Sequence, residues 1–269
     1  MGWGSGGQCG TLGGMWSDAQ EPPEPDLEAP PPIEPPRPTD LERTVAFLEV
    51  LLCSDYPTQL ALSTTLAALG YRPYVNGHLR VGFVVTLSIV DTAVLIALML
   101  IFLSAHGERP RDLFLGPRPV LRELRKGLLL VPFAFAIAAG MLVLLARLAP
   151  SLHTVKNNPI EELLRSPRDA GLFAVVVVVA GGVREELQRA FLLRRFEVWL
   201  GGASIGIVVT SLAFGLGHLI QGVDAAVATG ALGAFWGLVY VRRRSTVAPM
   251  VSHAGFDLLQ IVQFVAFGR

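Results

Sequence analysis

Long apolar stretches alternate with polar loops from residue 81 to the end of the chain. The stretches at about 81–103 and 127–148 are long enough, at about 1.5 Å per residue, to cross the roughly 30 Å hydrocarbon layer of a bilayer as helices. Three further spans are expected at about 202–220, 225–241 and 246–267. The pattern therefore predicts an all-α fold, a polytopic transmembrane helical bundle over residues 81–269.

The apolar stretch at 171–183 is followed by charged residues rather than by a loop. As a helix it covers only about 20 Å, which is too short to cross the bilayer. We therefore expect the helix to continue through residues 184–189 and the apolar residues 190–193 to the membrane interface. The adjacent carboxylates of Glu185 and Glu186 then lie below the membrane surface, where they must face protein or water.

The chain before residue 81 differs in composition from the bundle. Residues 1–40 are rich in glycine and then in proline and acidic residues, which predicts a disordered tail. This tail lacks the basic start and the apolar core of a secretory signal. Residues 41–80 contain two shorter apolar stretches interrupted by Glu49, Asp55 and Pro57, which predicts an interfacial or broken helical segment packed against the bundle.

Basic residues cluster in two of the predicted loops, at 104–126 and 242–244. The positive-inside rule places such loops in the cytoplasm, and the predicted crossings between them put both on the same side. The first span carries a single carboxylate, Asp91, for which we expect a buried structural pairing. The loops and spans together predict an integral membrane protein surrounded by the lipid bilayer.

The overall composition supports this membrane assignment. Hydrophobic residues make up 52% of the 269 residues, charged residues make up only 16%, and the mean hydropathy is +0.51. These values are too apolar for an ordinary soluble domain. Lysine plus arginine total 22 residues, and aspartate plus glutamate also total 22. The chain therefore lacks the net positive charge that would favour nucleic-acid binding. Cys9 and Cys53 lack metal-ligand spacing.

Four ionisable side chains fall in segments that are otherwise apolar: Glu185, Glu186, His218 and His253. Such groups cost about 2.5–3.5 kcal/mol each on insertion scales, so they are rare in a bilayer and usually functional. Arg189 lies four residues after Glu185, and Asp257 lies four residues after His253, so each pair shares one helix face. Together these residues indicate an active site built from separate helices.

The order of these residues resembles the motifs of the CPBP family of CAAX proteases and bacteriocin-processing enzymes, also called the Abi family. The family pattern reads EExxxR, FxxxH and HxxxN or HxxxD, and here it covers about residues 171–261. Its positions are occupied by Glu185, Glu186 and Arg189, by Phe214 and His218, and by His253 and Asp257. The resemblance implies an all-helical intramembrane endopeptidase related to the Ras-converting CAAX prenyl protease.

Carried onto this sequence, the resemblance implies that Glu185 and His218 activate a water molecule for attack on a peptide carbonyl. Glu186 is the alternative base. His253 and Asp257 would correspond to the pair that faces the developing oxyanion. The reaction would proceed without a covalent intermediate and without a metal or other cofactor.

Two departures from the family pattern affect these assignments. Arg189 falls one residue early, so that the motif reads EExxR and the choice between Glu185 and Glu186 stays open. Asp257 replaces the commoner asparagine. An ionised aspartate cannot donate to an oxyanion, so Asp257 must be protonated or must instead orient His253.

The resemblance also implies the surroundings and partners of the site. The expected substrate is a membrane-embedded peptide or protein, prenylated or not, and nucleic acid is not an expected partner. Arg189 and Phe214 are expected to support the substrate or the structure of the site. The expected location is a bacterial cytoplasmic membrane.

Two alternatives stay open at this point. A metal-dependent membrane protease would hold zinc between Glu185, His218 and His253, although the sequence has no HExxH motif. A non-enzymatic membrane protein, such as a bacteriocin immunity factor or a partner-binding scaffold, would keep the same polar residues for packing.

Overall fold

The computed structural model of the chain describes Met1, residues 38–156 and residues 158–267. Most of the predicted disordered tail, at residues 2–37, therefore lies outside the described residues. Within the described part the chain is helical apart from one small hairpin and the connecting loops. The predicted all-α membrane bundle is confirmed.

Two short helices precede the bundle. Helix α1 spans Asp40–Leu52 and begins with a capping box, in which the Thr39 hydroxyl accepts from the backbone N–H of Glu42 and the Glu42 carboxylate accepts from the backbone N–H of Thr39. Helix α2 spans Tyr56–Ala68. The break between them contains Asp55, whose φ of 79° lies in the left-handed region. Residues 41–80 thus begin as a broken helix.

A hairpin that the hydropathy pattern does not predict follows α2. Strands β1, Tyr74–Val75, and β2, His78–Leu79, pair antiparallel. The turn between them is Asn76-Gly77, and both residues have positive φ. Asn-Gly is the preferred sequence for a two-residue hairpin turn, so a local signal for this element was present.

Four helices in the described residues are long and apolar enough to cross a membrane. They are α3, Val81–Ala105; α5, Val120–Leu148; α9, Val223–Arg243; and α10, Val247–Phe267. Each contains or closely matches a predicted span. Helix α4, Pro110–Phe114, lies in the first basic loop, and 3-10 helices form at Pro150–Leu152 and Pro159–Leu164.

The predicted span at 202–220 is shorter than expected. Helix α8 covers Ala203–Leu216, and a separate 3-10 helix covers Leu219–Gln221. The helix ends where the His218 ring hydrogen-bonds the carbonyl of Phe214, which satisfies a carbonyl left free at the helix end. This early end places His218 in a loop rather than within a span.

The continuous helix predicted through the charged motif is present. Helix α6, Pro167–Val176, runs into a π-helix at Val177–Arg184 and then into α7, Glu185–Trp199. The π-helix packs closely on α10, because a Cβ atom at Gly182 would lie 2.7 Å from the Ala254 Cβ. π-helical turns are rare and are frequently found at functional sites.

The two basic loops meet at one end of the bundle. The backbone N–H of Thr246 donates to the carbonyl of Phe114 at 2.8 Å, and the Arg118 Nε donates to the carbonyl of Arg243 at 3.0 Å. The expectation that both loops share a side of the membrane agrees with this contact.

Small residues set the closest approaches between helices. A Cβ at Gly215 of α8 would lie 3.3 Å from the Gly230 Cα of α9, and a Cβ at Gly255 of α10 would lie 2.9 Å from the Val131 Cγ2 of α5. Helices in lipid associate through such close packing, since lipid chains supply little hydrophobic drive. The bundle thereby fixes α7, α8 and α10 around the polar residues.

Candidate active site

The predicted site residues come from three helices that pack together. The first turn of α7 carries Glu185 and Glu186, the end of α8 carries Phe214 and the loop residue His218, and α10 carries His253 and Asp257. In sequence these groups are more than twenty residues apart. The fold brings them to the same region of the bundle.

The His253 imidazole is buried and faces three carboxylates. Its Nδ1 lies 2.9 Å from Glu186 Oε1, while its Nε2 lies 3.9 Å from Glu185 Oε2 and 3.6 Å from Asp257 Oδ2. The ring stacks on Trp236 with the centroids 3.9 Å apart and the planes 20° apart. The His253 ring is thus held on both edges and on one face.

Glu186 belongs to a closed ion network. Its carboxylate accepts from the guanidinium of Arg189 and faces the His253 Nδ1. The Arg189 guanidinium also lies over the Phe214 ring, 4.8 Å from its centroid. The sequence placed Arg189 on the same face as Glu185, but in the structure it pairs with Glu186, three residues before it. Both i+3 and i+4 neighbours share a helix face, so spacing alone does not choose between them.

Glu185 is the more accessible of the two glutamates. Its side chain is 18% exposed, against 1% for Glu186. One carboxylate oxygen accepts from Arg184 at 3.0 Å, and the other lies toward His253. Glu185 therefore reaches a solvent-accessible space that Glu186 does not.

His218 has one ring nitrogen available. Its Nδ1 lies 2.8 Å from the Phe214 carbonyl, and since a carbonyl only accepts, Nδ1 carries the proton. In the neutral ring Nε2 is then an acceptor. The Phe214 ring makes edge contacts with both histidines, 4.8 Å from His218 and 5.9 Å from His253, measured between ring centroids.

Glu185 and His218 line the same cavity, which has a volume of about 490 Å³. Among its polar lining residues are Asp55, Gln59, Glu185, Gln188, His218 and Gln221. Its apolar lining includes Phe47, Val50, Leu51, Leu192, Val209 and Phe214. His253 and Asp257 do not line this cavity, although the His253 Nε2 lies 3.9 Å from Glu185 Oε2.

Several residues beside the site were missed or only partly foreseen. Arg184 pairs with Asp55, with Asp91 and with Glu185. The expected buried pairing of Asp91 is present, but its partner was not named from the sequence. The Tyr56 hydroxyl donates to the Ala213 carbonyl at 2.6 Å. The only signal for these contacts was a carboxylate inside an apolar span, which names no partner.

A metal site would require several ligating side chains to converge on one point. The described residues contain no group of three or more His, Cys, Asp or Glu side chains arranged to hold an ion. A zinc site between Glu185, His218 and His253 would need the three side chains to converge, and His253 does not line the cavity that Glu185 and His218 share. These residues therefore do not fit the zinc alternative.

The comparison with known proteins agrees with the motif positions. Residues 167–259 match the family model described as type II CAAX prenyl endopeptidase Rce1-like. No curated protein and no solved structure matches significantly. The four apolar helices and this match together show an integral membrane protein, and the match supports CAAX-type intramembrane protease activity in general. The resemblance to the CPBP family is thereby confirmed over residues 167–259, the segment that matches this model.

Proposed function

We propose that the chain is an intramembrane endopeptidase in which Glu185 and His218 activate a water molecule that hydrolyses a peptide bond. The observation that carries this proposal is that both side chains line one cavity while each keeps an acceptor atom free of a strong partner. General-base catalysis requires an acceptor within hydrogen-bond reach of the attacking water.

The structure favours Glu185 over Glu186 as the base. Glu186 is only 1% exposed, its carboxylate is bound to Arg189 and His253, and it does not line the cavity. Glu185 reaches the cavity, and its oxygen toward His253 has only that distant contact at 3.9 Å. Glu186 then serves to hold the Arg189 and His253 side chains.

In the proposed reaction the water oxygen attacks the scissile carbonyl carbon, and the Glu185 carboxylate takes a proton from the water. His218 orients the same water through Nε2. The tetrahedral intermediate then collapses, the C–N bond breaks, and the proton passes to the amine leaving group. The carboxylate assists the proton transfers, and no enzyme nucleophile becomes bound to the substrate.

His253 and Asp257 are proposed to support the oxyanion side of this reaction. The imidazole has donors on both nitrogens when it is protonated, and three carboxylates surround it. An ionised Asp257 accepts only, so its role is to orient His253 rather than to bind the oxyanion directly.

The cavity also supports a membrane-anchored substrate. Its lining includes the polar side chains of the proposed catalytic pair and also exposed apolar side chains, among them Phe47, Leu51 and Val209. A peptide joined to an apolar anchor, prenylated or otherwise, matches a lining of both kinds. We propose that such a substrate enters from the lipid of a bacterial cytoplasmic membrane.

The test is cleavage in proteoliposomes by the purified protein. The substrates are a fluorogenic peptide with a farnesylated cysteine near its C-terminus and the same peptide without the lipid. We expect wild-type protein to cleave the lipidated peptide, and Glu185→Gln and His218→Gln to lose activity by about 100-fold or more. The control is Lys126→Gln, at a residue of α5 that does not line the cavity.

Equal rates for wild type and both site variants would contradict the proposal. Absence of cleavage by wild type, together with a lower thermal stability of Glu185→Gln, would favour the non-enzymatic alternative.

A further inference from the structure

The break between α1 and α2 is attached to the helices that carry the site. The Gln188 amide donates to the Cys53 carbonyl at 2.7 Å, and Arg184 forms an ion pair with Asp55. These contacts join residues that are more than one hundred positions apart. Cys53 and Asp55 lie outside the segment that matches the family model, so the N-terminal part contributes directly to the surroundings of the site.

Arg184 is the centre of these contacts. Its guanidinium meets three carboxylates: Asp55 from the break, Asp91 from α3 at 3.2 Å, and Glu185 at 3.0 Å. Its Nε also lies 3.4 Å from the Ala180 carbonyl of the π-helix. The guanidinium is a rigid planar fork, so partners on several sides fix both its position and its orientation.

The charges around Arg184 exceed what neutralisation requires. One buried cation faces three carboxylates, and one oxygen of Asp91 has no hydrogen-bond partner. Asp55 is also a non-glycine residue at φ 79°. Buried ions and left-handed residues cost free energy, and such costs concentrate at functional sites. A structural pair alone would need only one of these carboxylates.

We propose that Asp55 and Asp91 hold Arg184 as a positioning residue for the Glu185 carboxylate. With Arg184 fixed, one Glu185 oxygen is bound at 3.0 Å and the other is directed toward His253 and the cavity. Without its two outer partners the guanidinium can turn fully onto Glu185 or away from it. Either movement displaces the carboxylate from the water. This inference rests on the proposed function, since it assigns how the proposed base is held.

The test measures kcat, KM and thermal unfolding for wild type, Arg184→Gln, Arg184→Lys, Asp55→Asn and Asp91→Asn in proteoliposomes. We expect Arg184→Gln to lower kcat by about 10- to 100-fold with little change in KM, as displaced catalytic groups do. Asp55→Asn and Asp91→Asn should lower kcat less. Arg184→Lys should recover part of the loss, because it restores the charge without the planar fork.

A double variant separates positioning from stability. Arg184→Gln leaves three carboxylates without a cation, and Arg184→Gln/Asp91→Asn removes one of them. We expect the double variant to unfold at a higher temperature than Arg184→Gln while its kcat stays as low. The matched control is Arg195→Gln, at a buried arginine of α7 that pairs with α1, and it should lower the unfolding temperature without lowering the kcat of the folded protein.

The outcomes are distinguishable. If wild type cleaves and Arg184→Gln has the same kcat, or if kcat returns together with stability in the double variant, the positioning role is overturned and the proposed function stands. If wild type does not cleave either peptide, the proposed function fails, and the positioning role fails with it.

Discussion

Two buried arginines, Arg184 and Arg195, have similar partners and different surroundings. Arg184, the last residue of the π-helix, and Arg195, three turns later in α7, both pair with carboxylates from the N-terminal segment before the bundle. Arg195 is closed in by Glu49, by Glu108 and by the rings of Phe191 and Trp199. Arg184 instead lies beside a cavity and next to a partly exposed glutamate.

The comparison shows that a buried charge does not by itself mark a site. Both clusters satisfy the requirement that ions in a membrane protein be paired. Only the Arg184 cluster adds a space for water and an acceptor open to it. We therefore expect changes at the Arg195 cluster to affect folding and changes at the Arg184 cluster to affect turnover.

The largest effect on stability is expected at Glu49. Its carboxylate accepts from Arg195 at 2.5 Å and lies 2.7 Å from the His106 ring. Replacing one partner of a buried ion pair costs about 3–5 kcal/mol, because the other charge is left uncompensated. Glu49→Gln should lower the free energy of unfolding by about 3 kcal/mol, the smaller of these values, because Arg195 keeps its ion pair with Glu108. Reversible unfolding in detergent measures the loss, and an unchanged unfolding free energy would show that the cluster is not stabilising.

A more local effect, on kcat, is expected from a substitution in the π-helix. A Cβ atom at Gly181 would lie 2.9 Å from Asp257 Oδ2, so Gly181→Ala must displace that carboxylate. We expect kcat to fall by up to about 100-fold, because small displacements of catalytic groups have effects of that size. Gly171→Ala is the matched control, since a Cβ there meets no atom within 4 Å. Equal kcat values for the two variants would show that the position of Asp257 does not matter to turnover.

The smallest expected effect is a pH dependence of stability at the Arg195 cluster, which contains Glu108. Burial opposes ionisation of Glu108, but hydrogen bonds and charge from Arg194 and Arg195 outweigh it and hold the pKa of Glu108 below its usual value. A carboxyl group whose pKa is lowered by folding stabilises the fold above its unfolded pKa of about 4.3, and this stabilisation is lost as the pH falls through the folded pKa.

Thermal unfolding between about pH 6 and pH 3 checks this expectation. The unfolding temperature of wild type should fall further across this range than that of Glu108→Gln. Identical losses in the two proteins would contradict the assignment of a lowered pKa to Glu108.

Much of the bundle could be predicted from hydropathy, since length and apolarity are local properties of the sequence. The helix through Glu185 was predicted because the apolar segment before it is too short to span. The hairpin at Asn76-Gly77 was missed because two-residue strands leave no hydropathy pattern. The early end of α8 was missed because it depends on a ring-to-carbonyl bond of His218.

The candidate site was predicted in its residues but not in its pairings. Spacing along one helix limits which residues share a face, and it left Arg189 free to pair with either glutamate. The contacts of Arg184 with Asp55 and Asp91 join segments far apart in sequence, and no local pattern encodes them. Accessibility, which separates Glu185 from Glu186, follows only from the packed structure.

The most direct test of water activation by Glu185 is a single-turnover cleavage of the lipidated peptide in water enriched in oxygen-18, with product masses measured for wild type and Glu185→Gln. We predict that the new carboxyl terminus made by wild type carries a single oxygen-18 atom and that Glu185→Gln makes almost no product. Undiminished product from Glu185→Gln would contradict the assignment of Glu185 as the base.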